Sequence, residues 1–204
     1  MGQSVNRPKT STIARIVRGR IKIDPVKGEL LDESIGYIKI QSFHQNVAND
    51  MEALLTEMQQ EASGLKGLVL DLRNNPGGYL NQAIKVSDKF IRNGVLVSTV
   101  EGAQREREET HAHSSNTLSN MPIVVLVNGN SASASEIVAG ALRNQSRAVI
   151  IGERSFGKGS VQHLYGNPDD SRLKLTVAQY LTPGDQSIQS VGIPPDVLLK
   201  PSLI

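Results

Sequence analysis

Ser133 and Lys158 lie twenty-five positions apart, and each stands in an unusual local sequence. Ser133 is the middle serine of Ser131-Ala132-Ser133-Ala134-Ser135-Glu136, and Lys158 is held between glycines in Phe156-Gly157-Lys158-Gly159. A serine hydroxyl attacks a carbonyl once a neighbouring base accepts its proton, and a neutral amine can be that base. Apolar surroundings favour the neutral form of an amine; Phe156 and the run Val149–Ile151 are the residues expected to supply them here. Each half also has a purely structural reading. Ser133 with Glu136 fits a helix capping box, and a lysine between glycines fits a solvated loop. A helix start nonetheless offers unpaired N–H groups and positive potential to an oxyanion.

Pro76-Gly77-Gly78 is the third element, and it follows an apolar run that reads as a buried strand. Read structurally it is a tight turn, but glycine also lets a backbone N–H approach a substrate carbonyl unobstructed. Gly78 and Ala134, the residue after the serine, are the expected pair of oxyanion donors. Rival chemistries are poorly supported. The four histidines, His44, His111, His113 and His163, are scattered, and His111-Ala112-His113 lacks the accompanying glutamate helix of a zinc hydrolase. No Gly-x-Ser-x-Gly elbow occurs, and Gly-Lys-Gly lacks the spacing of a phosphate-binding loop. Asp169-Asp170 falls in a turn-like stretch, where solvated carboxylates are expected.

The elements that must position these residues follow from pattern. Ile35–Ile40 alternates as a strand. Val47, Met51, Leu54, Leu55 and Met58 mark an amphipathic helix reaching about Glu61. Gly67–Leu72 and Pro122–Val127 are continuous apolar runs, expected of strands covered on both faces. A helix is expected over Leu80–Ile91 and another from about Ser133 to Leu142. Further strands are expected at Ile13–Ile23, Val95–Val100, Ala148–Gly152 and Leu173–Tyr180, while Glu101–Asn120 reads as an irregular polar excursion. Alternating strands and helices predict an α/β domain with a mostly parallel sheet, with the suspect residues on strand-to-helix turns, where such sheets place ligands.

Composition narrows the class. Of 204 residues, 38% are hydrophobic, enough for a core, and 21% are charged. Net charge is only +2 and aromatics make up 3%, which disfavours a nucleic-acid partner. With no cysteine, disulfides, thiolate metal sites and a cysteine nucleophile are excluded. No apolar run approaches the roughly 18–20 residues of a membrane span, and the basic N-terminus lacks the apolar stretch of a signal peptide.

Together these strings carry a resemblance. Leu70–Gly78, Ser131–Glu136, Gly152–Gly159, and Tyr180–Gly184 followed by Val191–Val197 resemble, in order, the carboxyl-terminal processing (tail-specific) proteases. The similarity runs from about Ile21 to Val197. It implies the ClpP/crotonase-like spiral of strand-strand-helix units, no metal or cofactor, and a serine endopeptidase acting on protein or peptide substrates near their C-termini. Ser133 is then the nucleophile, Lys158 the general base, Gln162 the residue orienting that lysine, and Gly78 and Ala134 the oxyanion donors. Activity is expected to rise with pH, as an amine base works only without its proton.

The chain departs from the family pattern in two places. Met1–Arg20 is too short for the PDZ domain that usually precedes the core, so residues 1–20 are expected to be a polar remnant and 21–204 the catalytic domain. Asn144 stands where an acidic residue is frequent, a position expected to be structural. The family points to a periplasmic or cell-envelope location, and the missing signal peptide to the cytoplasm if the chain is complete. A homo-oligomer or a PDZ-bearing partner is compatible with the resemblance. The competing expectations are a non-catalytic peptide-binding or assembly subunit and a crotonase-type acyl-CoA enzyme, the latter leaving Ser133 and Lys158 unexplained.

Overall fold

The computed structural model describes residues 24–200, apart from residues 33, 103–105 and 119. The strand expected at Ile13–Ile23 lies outside the described residues. In chain order the elements are β1 (Val26–Leu31), β2 (Ile35–Ile40), α1 (Val47–Glu61), β3 (Gly67–Asp71), α2 (Leu80–Asp88), β4 (Val95–Glu101), β5 (Glu106–His111), β6 (Ile123–Val127), α3 (Ala134–Asn144), β7 (Val149–Gly152), β8 (Ser160–Gly166), β9 (Arg172–Thr182), β10 (Gln186–Ser187) and β11 (Val197–Leu198).

Six strands form one sheet in the order β1-β2-β3-β6-β7-β11. Every pairing in it is parallel except β1 with β2. Strand order advances in one direction, the β2–β3, β3–β6 and β6–β7 connections each carry a helix, and right-handed crossovers then put α1, α2 and α3 on one face. Alternation along β2 agrees: Gly36, Ile38 and Ile40 are buried, whereas Ile35, Tyr37 and Lys39 on the opposite face are half-buried. Helix α1 turns Val47, Met51, Leu55 and Met58 inward, a stripe at spacings of four and three.

A second, antiparallel sheet runs β10-β9-β4-β5, with β8 pairing β9. Helices α2 and α3 touch β4, and α3 also touches β9, so α3 lies between the two sheets. That explains its composition. Every residue from Ala134 to Leu142 is buried, and all of them except Glu136 are apolar or small, as a helix covered all round requires. The architecture is the expected α/β one with a mostly parallel core sheet. Part of the polar excursion is ordered: Glu106–His111 is a regular strand, held by pairing with β4 from Val95↔His111 to Glu101↔Glu106.

The parallel strands deliver the functional turns side by side. Strand β3 pairs with β6 from Leu68↔Ile123 to Asp71↔Leu126, so their C-terminal ends open at one edge of the sheet. The β3–α2 turn carries Gly78, and the β6–α3 turn carries Ser133.

Candidate active site

Ser133 sits at the N-cap of α3 with φ 56° and ψ −114°. A non-glycine residue there is strained by about 1–3 kcal/mol and persists only where its surroundings hold it. What holds it is Glu136. The arrangement of a capping box is present, and its firm arm is the Glu136 carboxylate, which accepts the Ser133 N–H at 2.8 Å. The Ser133 side chain faces the helix start, and the residue is half-exposed.

Glu136 is wholly buried and does more than cap. Its Oε1 accepts the Ser155 hydroxyl at 2.6 Å and the Gly157 N–H at 2.6 Å; its Oε2 also accepts the Lys158 N–H at 2.8 Å. One carboxylate therefore joins the backbone of Ser133 to that of Lys158. Ser155 continues the chain of bonds, since its hydroxyl oxygen accepts the Ile193 N–H at 2.6 Å.

The Lys158 loop is cradled by Ile188–Ile193 rather than by the expected residues. Phe156 is 66% exposed and Val149 45% exposed, so neither wraps the lysine in apolar surface. Instead Gly157 O accepts the Ser190 N–H at 2.8 Å, and the Gly159 N–H donates to Gln189 Oε1 at 3.0 Å. The flanking glycines follow from this fit: Gly157 has φ 92°, and a Cβ on Gly159 would stand 2.9 Å from the Gln189 nitrogen. Lys158 itself is half-buried, and among the described residues its amine forms no recorded ion pair or hydrogen bond.

Gly77 packs against the serine turn, where a Cβ would meet Ser133 Cβ at 2.9 Å and the Ala134 nitrogen at 3.0 Å. Next to it, Gly78 lies in a one-residue bridge with Phe43: Phe43 N–H donates to Gly77 O, and Tyr79 N–H to Phe43 O, both at 2.8 Å. Among the described residues neither the Gly78 nor the Ala134 N–H donates a recorded hydrogen bond. These are the two donors singled out from the sequence.

The Peptidase family S41 model matches residues 34–199. The chain belongs to peptidase family S41. It is 44% identical over 191 residues to a carboxy-terminal-processing protease of Bartonella bacilliformis, covering 93% of this chain and 44% of that protein. A carboxy-terminal processing protease of Bacillus subtilis is 40% identical over 182 residues, covering 89% of this chain and 38% of the relative. Among solved structures, a photosystem II D1 C-terminal processing protease superposes with a TM-score of 0.79 at 35% identity, over 88% of this chain and 49% of that one. The chain thus spans less than half the length of these relatives.

Within this S41 core, Gln162 forms no hydrogen bond with the lysine among the described residues. It is exposed on β8, just after a register shift between Val161 and Gln162, and makes no recorded side-chain hydrogen bond. Asn144 has the structural place expected of it, donating to Thr182 Oγ1 at 3.1 Å and Pro183 O at 2.9 Å, which ties α3 to the end of β9. His111 and His113 face separate carboxylates, Glu109 and Asp88, each at 3.2 Å.

Sequence reasoning missed a second polar cluster at the end of β3. The buried Asp71 carboxylate accepts the Tyr37 hydroxyl at 2.6 Å and a fork from Arg73 Nε and Nη2 at 2.9 and 2.8 Å. Lys39 Nζ lies 3.4 Å away. Burial pushes the Asp71 carboxyl up, but the hydrogen bonds from Arg73 and Tyr37 outweigh it and bring the group down to about 2. The clue available in the sequence was an aspartate ending an otherwise apolar strand two residues before an arginine.

Proposed function

We propose that this S41 core, residues 21–204, is a serine endopeptidase that cleaves protein or peptide substrates near their C-termini through Ser133 and Lys158. The observation that carries the reading is the single buried carboxylate, Glu136, bonded at 2.8 Å to the backbone of both residues. It ties the two loops to one reference point, which an intramolecular proton transfer between their side chains needs. The relatives named as carboxy-terminal processing proteases supply the substrate class.

In the mechanism, the neutral Lys158 amine takes the Ser133 hydroxyl proton as the oxygen attacks a peptide carbonyl. The Gly78 and Ala134 N–H groups, spared from other bonds, receive the developing oxyanion, a contribution of roughly 3–4 kcal/mol per essential donor. Lys158 then passes the proton to the leaving amine, the C-terminal fragment departs, and water resolves the acyl-enzyme by the same steps reversed. Gln162, four residues past the lysine on β8, is assigned by family resemblance to orienting the amine.

The deciding experiment is hydrolysis of an unstructured protein by the native chain, Ser133→Ala and Lys158→Ala. Turnover by the native chain and its loss in both variants is expected. Cleavage persisting in both would overturn the dyad, and binding of peptide without any turnover would instead support a non-catalytic subunit.

A further inference from the structure

Two asparagines on the rim, Asn74 and Asn128, bridge the turns that carry the oxyanion donors. Asn74 lies four residues before Gly78, and Asn128 six before Ala134. The two residues bond reciprocally: the Asn74 backbone N–H donates to Asn128 Oδ1 at 2.9 Å, and the Asn128 side-chain Nδ2 donates to Asn74 Oδ1 at 2.9 Å. Asn130 adds an Nδ2 bond to Asn74 Oδ1 at 3.0 Å and an N–H bond to Asn128 Oδ1 at 3.2 Å. Asn74 takes the left-handed backbone, φ 61°, that asparagine tolerates better than most residues.

Beneath this pair runs a buried course of bonds between the same turns. Ser131 Oγ donates to Leu72 O at 2.8 Å, Ala132 N–H to Asn75 O at 3.0 Å, and Ser135 Oγ to Asn75 O at 2.9 Å. A single course would act as a hinge, letting the turns rotate about it. A second course on the outer side removes that freedom. Core packing does not require the outer one, since Asn74 is exposed and Asn128 only half-buried. No recorded hydrogen bond runs from either amide to Ser133 or Lys158.

We propose that the Asn74–Asn128 amide pair is a positioning clamp that sets the spacing of the Gly78 and Ala134 N–H groups, an assignment that rests on the Ser–Lys peptidase reading. Oxyanion binding demands that two donors from different turns meet one oxygen, and an error near 1 Å costs about 10²-fold. The clamp supplies that tolerance from outside the substrate path.

The test uses Asn128→Ala, Asn74→Gly (which keeps the left-handed backbone unstrained), their combination, and Asn128→Asp, which cannot donate to Asn74 Oδ1. Against a peptide substrate, kcat is expected to fall about 10–100-fold with KM little changed. Affinity for the matching peptide aldehyde, whose adduct with Ser133 presents an oxyanion to both donors, should fall by a similar factor. The double variant should be no worse than either single one, since the pair acts as a unit. Full kcat in Asn128→Ala, alongside turnover abolished by Ser133→Ala, overturns the clamp alone; Ser133→Ala retaining turnover overturns the peptidase reading. Hydrogen exchange decides independently of activity. Asn128→Ala should speed exchange at Gly77, Tyr79, Ser131 and Ala132 while leaving the central strands protected; unchanged exchange there, or loss of protection throughout, refutes the clamp.

Discussion

Glu136 shows how little a single side chain reveals of itself in sequence. The serine three residues earlier made the capping box readable, and that bond is present. Three further donors come from residues 19 to 22 positions downstream, brought in only because β7 lies parallel beside β6. Glu136→Gln keeps the size but turns one acceptor oxygen into a donor facing N–H or O–H groups. Leaving a buried donor unpaired costs about 1–3 kcal/mol, so urea unfolding should show at least that loss. Peptidase activity should fall further than stability alone explains, because both loops move. Ser133 and Lys158 stand out in the sequence through their neighbours, whereas the burial expected from Phe156 was not realised. That side chain turns to solvent, and the cradle comes from Ile188–Ile193, with no local pattern to announce it.

Among the elements, the apolar strands and amphipathic helices could be read because burial imposes a period. Strands β5 and β8 could not. All of β5 except Thr110 is exposed, and β8 is exposed from Gln162 onward. Their order comes from pairing with β4 and β9, which leaves no alternation in the residues. The turn after β3 gives a sharper prediction. Gly78 has φ 143°, and a Cβ there would collide with the Phe43 carbonyl oxygen. Gly78→Ala should therefore cost about 1–3 kcal/mol in strain, measured by thermal unfolding. It should also abolish turnover, because relief of the clash displaces the N–H assigned to the oxyanion. Turnover at the native rate would remove Gly78 from the mechanism.

Across the whole molecule, Asp71 makes the fold acid-sensitive in a defined window. Its folded carboxyl is held at about 2, below its ordinary value of 3.8, so the stabilisation is full well above pH 4 and is lost as pH falls toward 2. The difference corresponds to roughly 2 kcal/mol. Urea unfolding of the native chain and Asp71→Asn should differ most near neutral pH and converge near about pH 2; a constant gap would show that the charge plays no part. A last consequence lies in the reach of the bond from Ile193 to Ser155. Glu136 is locked through Ser155, and Ser155 through Ile193, sixty residues downstream of Ser133. Chains emerge from the ribosome N-terminus first, so Ser133 is synthesised long before the segment that seats the Lys158 loop. Seating of the Lys158 loop therefore waits for a segment made well after the serine turn, so the two loops cannot be joined through Glu136 and Ser155 in their final form until Ile193 has emerged.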